Sequence, residues 1–238
     1  GVQTCALPIL SPVKAINKAV QEALGDKVIV MIDGAHIITP GVFKFNLDAY
    51  RLSESPFVVT PSFHLGPKMQ NDSVLEGYSQ DVEDQLLESS RWKESGYRLF
   101  NATQAFSDGG NGWFGNLFET SCFGMYKKDF LRLGGFNENF ISPGGGIVSL
   151  DFFRICMDDE HLDYFMLIGE ASFHQLHGGV ASNASWENHP WDKFHDEYHK
   201  IRGHAYERNF RKASFLGSFQ PEAIGPLSAS AALTARNM

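Results

Sequence analysis

The sequence predicts an α/β fold in which a mixed central sheet carries helices on both faces. Three observations support this fold class: a helical segment leads directly into a short buried strand, strand-like and helix-like segments alternate after it, and glycine-rich loops separate them. A chain of 238 residues with 43% apolar content can bury one core of this size.

The first helix and the first strand are predicted near the start of the chain. Ser11 and Pro12 are typical of a helix start, apolar residues recur after them at helical spacing, and Gly25 ends the pattern. The apolar, β-branched run from Lys27 to Ile32 indicates a buried strand that ends at Asp33. A helix followed by a buried strand is typical of α/β proteins.

The later elements are predicted from the same two periodicities. Apolar runs indicate strands at Phe57 to Phe63 and Tyr164 to Ile168. Helical spacing of apolar residues indicates four further helices, at Ser79 to Trp92, Lys127 to Leu133, Leu150 to Met157 and Trp191 to Ile201. The glycine-rich segments 107–115 and 143–146 are expected to be loops, where binding residues are common.

One domain is expected over residues 11–210. Residues 1–10 open with a stretch that resembles the translation of a sequencing adapter, and we expect this segment to be non-native. Residues 211–238 are rich in alanine and serine and are predicted to form a C-terminal extension.

Composition and charge exclude several classes of protein. A net charge of -8 argues against a broad nucleic-acid-binding surface, because such surfaces gather lysine and arginine. No apolar run approaches the roughly 20 residues of a membrane-spanning helix, so no transmembrane segment is expected. The cysteines, Cys5, Cys122 and Cys156, include no Cys-x-x-Cys pair, which indicates neither a disulfide framework nor a thiolate zinc site and favours the cytoplasm.

The strongest local motif is Asp33-Gly34-Ala35-His36, directly after the predicted strand. A carboxylate at the carboxyl end of such a strand faces the crevice where α/β proteins bind ligands. The alternative interpretation is an Asp-Gly turn beside an incidental histidine.

Two blocks of sequence resemble family 2 glycosyltransferases, which have the GT-A fold. The segment from Asn17 to Pro40 is similar to the one that carries this family's Asp-x-Asp metal and diphosphate motif. The segment from Glu119 to Phe140, with Leu133-Gly134-Gly135-Phe136-Asn137-Glu138, resembles the family's acceptor-side signature and is followed at similar spacing by Gly144 to Arg154. The resemblance implies sugar transfer, with inversion, from a nucleotide-sugar donor to a carbohydrate or other hydroxyl acceptor.

The resemblance also implies a divalent cation, Mn²⁺ or Mg²⁺, and a diphosphate site at Asp33, Gly34 and Ala35. Ala35 stands where the family has its second acidic ligand, so the candidate metal ligands are Asp33 and His36, assisted by His174 or His177. Imidazole ligands favour Mn²⁺ over Mg²⁺, which prefers oxygen. Either late histidine is alternatively an ordinary loop or core residue.

The family's catalytic base has no direct counterpart. Its acidic pair would fall at Val148 and Ser149, neither of which can accept a proton, so Asp151 and Glu119 are the candidate catalytic residues. Asp151 also suits a helix N-terminus with no catalytic role. Trp113 is a candidate for stacking on the donor, or alternatively a core residue.

Three further expectations complete the prediction. The family's first nucleotide-binding strands would precede Asn17, so we expect this chain to lack them and to bind nucleotide weakly. A non-catalytic carbohydrate-binding or scaffold relative is the alternative function. A zinc-dependent hydrolase is a minor alternative, because His195 and His199 lie one helical turn apart, although Asp196 follows His195 where those enzymes need glutamate.

Overall fold

The structure is a computed structural model that describes residues 11–31, 35–103, 105–106 and 111–236. Its α-helices are α1 (Val13–Glu22), α2 (Val42–Leu52), α3 (Gln70–Leu75), α4 (Gln80–Ser90), α5 (Lys127–Arg132), α6 (Val148–Asp158), α7 (Trp191–Arg202) and α8 (Ile224–Arg236). Its strands are β1 (Lys27–Met31), β2 (His36–Ile38), β3 (Pro56–Thr60), β4 (Ser62–His64), β5 (Ala105–Phe106), β6 (Cys122–Tyr126), β7 (Asp163–Ile168), β8 (Ser172–His174) and β9 (Ser214–Gly217). The result is a mixed α/β protein.

A five-stranded mixed sheet with the strand order β1-β6-β3-β7-β9 forms the centre of the fold. Strands β3, β7 and β9 run parallel, and β6 is antiparallel to both β1 and β3. Strands β1, β3 and β7 therefore all end at the same edge of the sheet, which is where ligands bind in sheets of this type.

Helices cover both faces of this sheet, as the sequence predicts. Val58 and Leu167 belong to a cluster with Val42 and Ala49 of α2 on one face. Phe57 points to the opposite face, where its ring lies 5.9 Å from that of Phe153 on α6. Because neighbouring residues of a strand point to opposite faces, the apolar run in β3 supplies both cores at once.

A second, four-stranded sheet has the order β2-β8-β4-β5 and extends from the first. Each of its first three strands follows a strand of the central sheet after a short connection: β2 follows β1, β4 follows β3, and β8 follows β7. The run predicted as one strand at Phe57 to Phe63 is therefore two, divided at Pro61. Proline lacks the backbone N–H that would continue the ladder.

The fold also continues beyond the boundary predicted at residue 210. Strand β9 pairs in parallel with β7, so Phe215 lies opposite Met166. Helix α8 packs near the short helical turn Gly112–Phe114, where Ser230 Oγ accepts a hydrogen bond from the Phe114 amide. Residues 214–236 are therefore part of the same folded unit.

None of the helices in the described part of the chain has both the length and the apolar character required to cross a membrane.

Candidate functional site

Three histidines form a row across the second sheet. His36 begins β2, and His64 and His174 end β4 and β8. Both His36 and His64 are direct register partners of His174, one across an antiparallel and one across a parallel pairing. The row exists because three strands of the central sheet end at one edge and each continues into a strand that carries a histidine.

The imidazole rings are in contact. Ring centroids lie 5.0 Å apart for His36 and His174 and 5.1 Å apart for His64 and His174. His177 adds a fourth ring, whose Nε2 lies 3.0 Å from Nε2 of His174. A hydrogen bond at this distance requires one ring nitrogen to donate and the other to accept, so the two nitrogens cannot both carry a proton.

His64 is held in its neutral form by its surroundings. Its side chain is 7% exposed, and Nδ1 is buried without a hydrogen-bond partner. Burial, assisted by the nearby rings of His174 and His36, lowers the pKa of His64 to about 3, although a hydrogen bond with Gln70 opposes the shift. A neutral imidazole is the form that binds metal ions and accepts protons.

These four histidines line one cavity of about 320 Å³. Its other walls come from the glycine-rich loop at Gly144 and Gly146, from the segment Gly179 to Ser182, and from Glu119. None of the described residues that line the cavity is a lysine or an arginine. An anionic ligand in this cavity would therefore need its charge neutralised by something other than a lining side chain.

The turn that carries His177 is held in place by a buried carboxylate. Both carboxylate oxygens of Glu83, on α4, accept the backbone amide of Leu176, at 3.1 and 2.9 Å. The Tyr78 hydroxyl donates to the same carboxylate at 3.1 Å. Burial raises the pKa of Glu83, and the Leu176 and Tyr78 hydrogen bonds oppose that shift. Glu83 thereby fixes the backbone between His174 and His177.

Glu119 is the carboxylate that the structure brings to the histidines. It lines the same cavity and accepts a hydrogen bond from Ser149 Oγ at 3.3 Å. Burial raises the pKa of the Glu119 carboxyl, while the Ser149 hydrogen bond and the Arg208 charge oppose the shift. A carboxylate with a raised pKa is better suited to accept a proton near neutral pH.

Asp151 lies elsewhere and already has a partner. Its carboxylate is 2% exposed and accepts two hydrogen bonds from the Arg202 guanidinium, at 2.8 and 2.6 Å. This bidentate pair connects α6 to α7, and Asp151 is not among the residues that line the histidine cavity. Of the two predicted catalytic carboxylates, the structure brings only Glu119 to the histidines.

Two of the predicted donor-binding residues, Trp113 and Ala35, lie in different environments. Trp113 is fully buried, and its indole Nε1 donates to the carbonyls of Leu167 and Glu170 at 2.9 and 3.0 Å. This environment corresponds to the alternative interpretation of Trp113 as a core residue. The Ala35 carbonyl accepts the Gln175 amide at 2.8 Å and so helps to join β2 to β8.

The candidate metal ligand Asp33, and Gly34 of the candidate diphosphate site, lie outside the described residues. The remaining candidates, His36, His174 and His177, share the cavity. Within the described ranges, no group of three or more histidine, cysteine, aspartate or glutamate side chains is arranged to hold a metal ion by itself. The described residues therefore offer at most a partial ligand set.

The distance between the Nε2 atoms of His174 and His177, which is that of a hydrogen bond, also equals the distance between two neighbouring ligands of an octahedral ion. Two nitrogens that bind one ion at about 2.1 Å and at right angles to each other lie about 3.0 Å apart. The observed separation between their Nε2 atoms is 3.0 Å. A further ligand such as Asp33 would be needed to complete the site.

His195 and His199, the pair that suggested a zinc hydrolase, lie in different surroundings on α7. His195 packs against the rings of Trp191 and Tyr206, with centroids 4.6 and 6.2 Å away. His199 is exposed on α7. In the described part of the chain, this pair belongs to no group of three or more side chains that could hold a metal ion.

His64 is the site residue that the sequence analysis missed. A signal for it is present, because Ser62-Phe63-His64 and Ser172-Phe173-His174 are the same tripeptide. Each copy follows a buried strand, and the two copies pair residue for residue in parallel register. Serine and histidine face the cavity side while phenylalanine enters the core, as alternation along a strand requires.

Comparisons of this chain with protein-family models, with curated proteins and with solved structures found no match.

Proposed function

We propose that this protein is a glycosyltransferase that moves a sugar from a nucleotide-sugar donor to an acceptor hydroxyl, with Glu119 as the general base. One observation carries the proposal: the Glu119 carboxylate lies in the histidine cavity and is hydrogen bonded to Ser149. Ser149 occupies the position at which the family resemblance places an acidic residue. Glu119 therefore supplies in space the carboxylate that is missing at that position in the sequence.

The chemistry requires one proton acceptor and one means of stabilising a leaving group. The acceptor hydroxyl gives its proton to a Glu119 oxygen as its own oxygen bonds to the anomeric carbon of the donor. The bond from that carbon to the diphosphate oxygen breaks at the same time, and the electron pair leaves with the nucleoside diphosphate. The raised pKa of Glu119 favours this proton transfer.

The lining of the cavity supports a role for a divalent cation. Because none of the described lining residues is a lysine or an arginine, a departing diphosphate meets neither side chain in the cavity wall. A Mn²⁺ or Mg²⁺ ion bound by His174, His177 and Asp33 would supply the neutralising charge. His36 and the neutral His64 pack against the ring of His174.

The test is Mn²⁺-dependent cleavage of a panel of nucleotide sugars by the full chain, compared with its Glu119→Gln variant. We expect nucleoside diphosphate release that EDTA abolishes, and a kcat/KM that is about 10²- to 10⁴-fold lower in Glu119→Gln. Activity should also fall on the acid side of the pH profile, since the carboxyl must be deprotonated and the histidine ligands must be neutral to bind the ion, and the variant should lose the part of this acid limb that belongs to the carboxyl. Glu88→Gln, which changes an exposed carboxylate on α4, is the matched control.

Two results would contradict the proposal. One is an unchanged cleavage rate in Glu119→Gln. The other is saccharide binding that is indifferent to Mn²⁺ and to Asp33→Ala, with no donor consumed. That second outcome would favour the non-catalytic carbohydrate-binding alternative.

A further inference from the structure

An exposed aromatic surface lies next to the cavity. Trp186 and Trp191 are 56% and 41% exposed, which is unusual for tryptophan, and His189 lies between them. The Trp186 ring stacks on His189 with centroids 5.7 Å apart and planes 25° apart. The centroid of the Trp191 ring lies 5.7 Å from that of the same histidine, with the two planes 59° apart. Large exposed aromatic surfaces of this kind commonly mark binding sites.

This surface is continuous with the cavity wall. The His189 ring lies 6.4 Å from that of Phe194, and Phe194 lines the cavity. Ala181 and Ser182, also in the lining, belong to the same chain segment and precede Trp186 closely. A ligand that leaves the cavity on this side therefore meets the aromatic surface next.

Helix α3 holds the cavity wall and the aromatic surface together. The Asn71 amide donates to the carbonyls of Ala181 and Ala184, both at 2.7 Å. One residue later, the Asp72 carboxylate accepts the Trp186 indole N–H at 2.9 Å. The ring of Trp186 is thus oriented before any ligand arrives, which reduces the entropy lost on binding.

We infer that Trp186, His189 and Trp191 form a binding surface for a saccharide acceptor. The inference rests on the proposed function, because it assigns the acceptor class and its subsite to the same cavity. A pyranose ring has an apolar face of C–H groups and a rim of hydroxyls. Flat aromatic faces match the first, and the exposed polar residues Glu187, Asn188 and Asp192 match the second.

The charge and polarity of the surroundings favour a saccharide over other partners. Asp72, Glu187 and Asp192 would repel the phosphates of nucleic acid or of an anionic membrane. The exposed charged residues Glu187 and Asp192 lie among these aromatic residues, whereas the centre of a stable protein interface is depleted of charged residues. Neutral hydroxyl groups fit these carboxylate and amide acceptors.

The experiment measures binding of neutral tetrasaccharides of glucose and of N-acetylglucosamine to the full chain, in EDTA and without donor. Tryptophan fluorescence and saturation-transfer NMR are the readouts. We expect one of these probes to bind, with about tenfold weaker affinity in Trp186→Ala and in Trp191→Ala, as the loss of one stacking contact implies. Trp186→Phe should restore part of the affinity.

The matched control is Phe219→Ala, which removes an aromatic ring that is 66% exposed elsewhere. Thermal melts of every variant verify that the fold is intact, and Trp186→Phe keeps the test usable if an alanine variant unfolds. Absence of binding by the unaltered chain, or equal binding by all variants, would overturn the inference. If Mn²⁺-dependent donor cleavage persists in that case, the inference fails alone. If saccharide binds through these tryptophans but no donor is cleaved, only the catalytic proposal fails.

Discussion

Three strands of the five-stranded sheet continue along the chain into strands of the four-stranded sheet, yet the two sheets differ in strand length and in how apolar their faces are. The central sheet has β-strands of four to six residues with apolar side chains on both faces. The smaller sheet has strands of two or three residues, and its two faces differ in polarity. Phe63 and Phe173 enter the core from that face, whereas His64 and His174 line the cavity on the other.

This difference indicates that the central sheet contributes most to stability and that the smaller sheet carries the candidate site. The central sheet can form from its own hydrophobic pattern, whereas the smaller sheet forms where the central strands place its short segments. Strands this short bury too little surface to be stable alone. Substitutions in the central sheet or at the junction should therefore reduce global stability, and substitutions on the histidine face should mainly alter pH dependence and ligand binding.

The largest effect is expected at the junction of the two sheets. Trp113 is fully buried, its ring lies 5.2 Å from that of Phe63, and it donates to two carbonyls near the end of β7. Trp113→Ala should lower the free energy of unfolding by about 3–5 kcal/mol, because it leaves a large cavity and removes both hydrogen bonds. Urea-induced unfolding measures this loss.

Phe114→Ala is the control for Trp113→Ala, since Phe114 is the next residue in the chain and is 37% exposed. Its effect should be about 1 kcal/mol or less. If Trp113→Ala instead kept its stability and lost binding of nucleotide sugar, the buried indole would be a ligand contact and the structural interpretation would be wrong.

A smaller effect is expected inside the central sheet, where β6 and α2 are in close contact. A Cβ atom added at Gly124 would lie 1.8 Å from Asn46 Oδ1. Gly124→Ala should therefore cost about 1–3 kcal/mol through overpacking. The double variant Gly124→Ala/Asn46→Ala should be less destabilised than the sum of the two single variants, because Asn46→Ala removes the obstructing oxygen. Strict additivity in denaturant unfolding would show that the contact has no such cost.

The central sheet was predictable because its strands and helices carry local patterns. The predicted helix at the start of the chain, the strand from Lys27 and the strand at Tyr164 to Ile168 all agree with α1, β1 and β7 to within a few residues. Helix α2 was missed, although its residues Val42, Phe45 and Ala49 recur at helical spacing. The GT-A assignment remains a prediction.

The smaller sheet was not predictable by the same means, because two or three residues carry no measurable periodicity. Two of its three pairings connect segments more than 100 residues apart, as between His64 and His174. The sequence did indicate His36, His174 and His177 as a group, and these residues share the cavity. The contact between Glu119 and Ser149 was not predictable from local patterns either, because these residues are 30 positions apart and meet only in the folded chain.

The smallest effect is expected on the histidine face, as a dependence of stability on pH. The pKa of His64 is about 3 in the folded protein, well below the value of about 6.5 expected in the unfolded chain. The unfolded state therefore binds a proton more readily. The stability that depends on a neutral His64 is fully present above pH 6.5 and is lost as pH falls below that value, by about 1 kcal/mol between pH 6.5 and 5.5.

Urea-induced unfolding in EDTA at pH 7.5, 6.5 and 5.5 measures this dependence without any bound metal ion. His64→Gln removes the titrating group while keeping a polar side chain, so the loss of stability between pH 6.5 and 5.5 should be smaller than in the unaltered chain. His199→Gln, which changes an exposed histidine on α7, should leave that loss unchanged. His174, His36 and Glu119 also face this cavity, so equal pH dependence in His64→Gln and the unaltered chain would assign the effect to those neighbours and contradict the burial of a neutral His64.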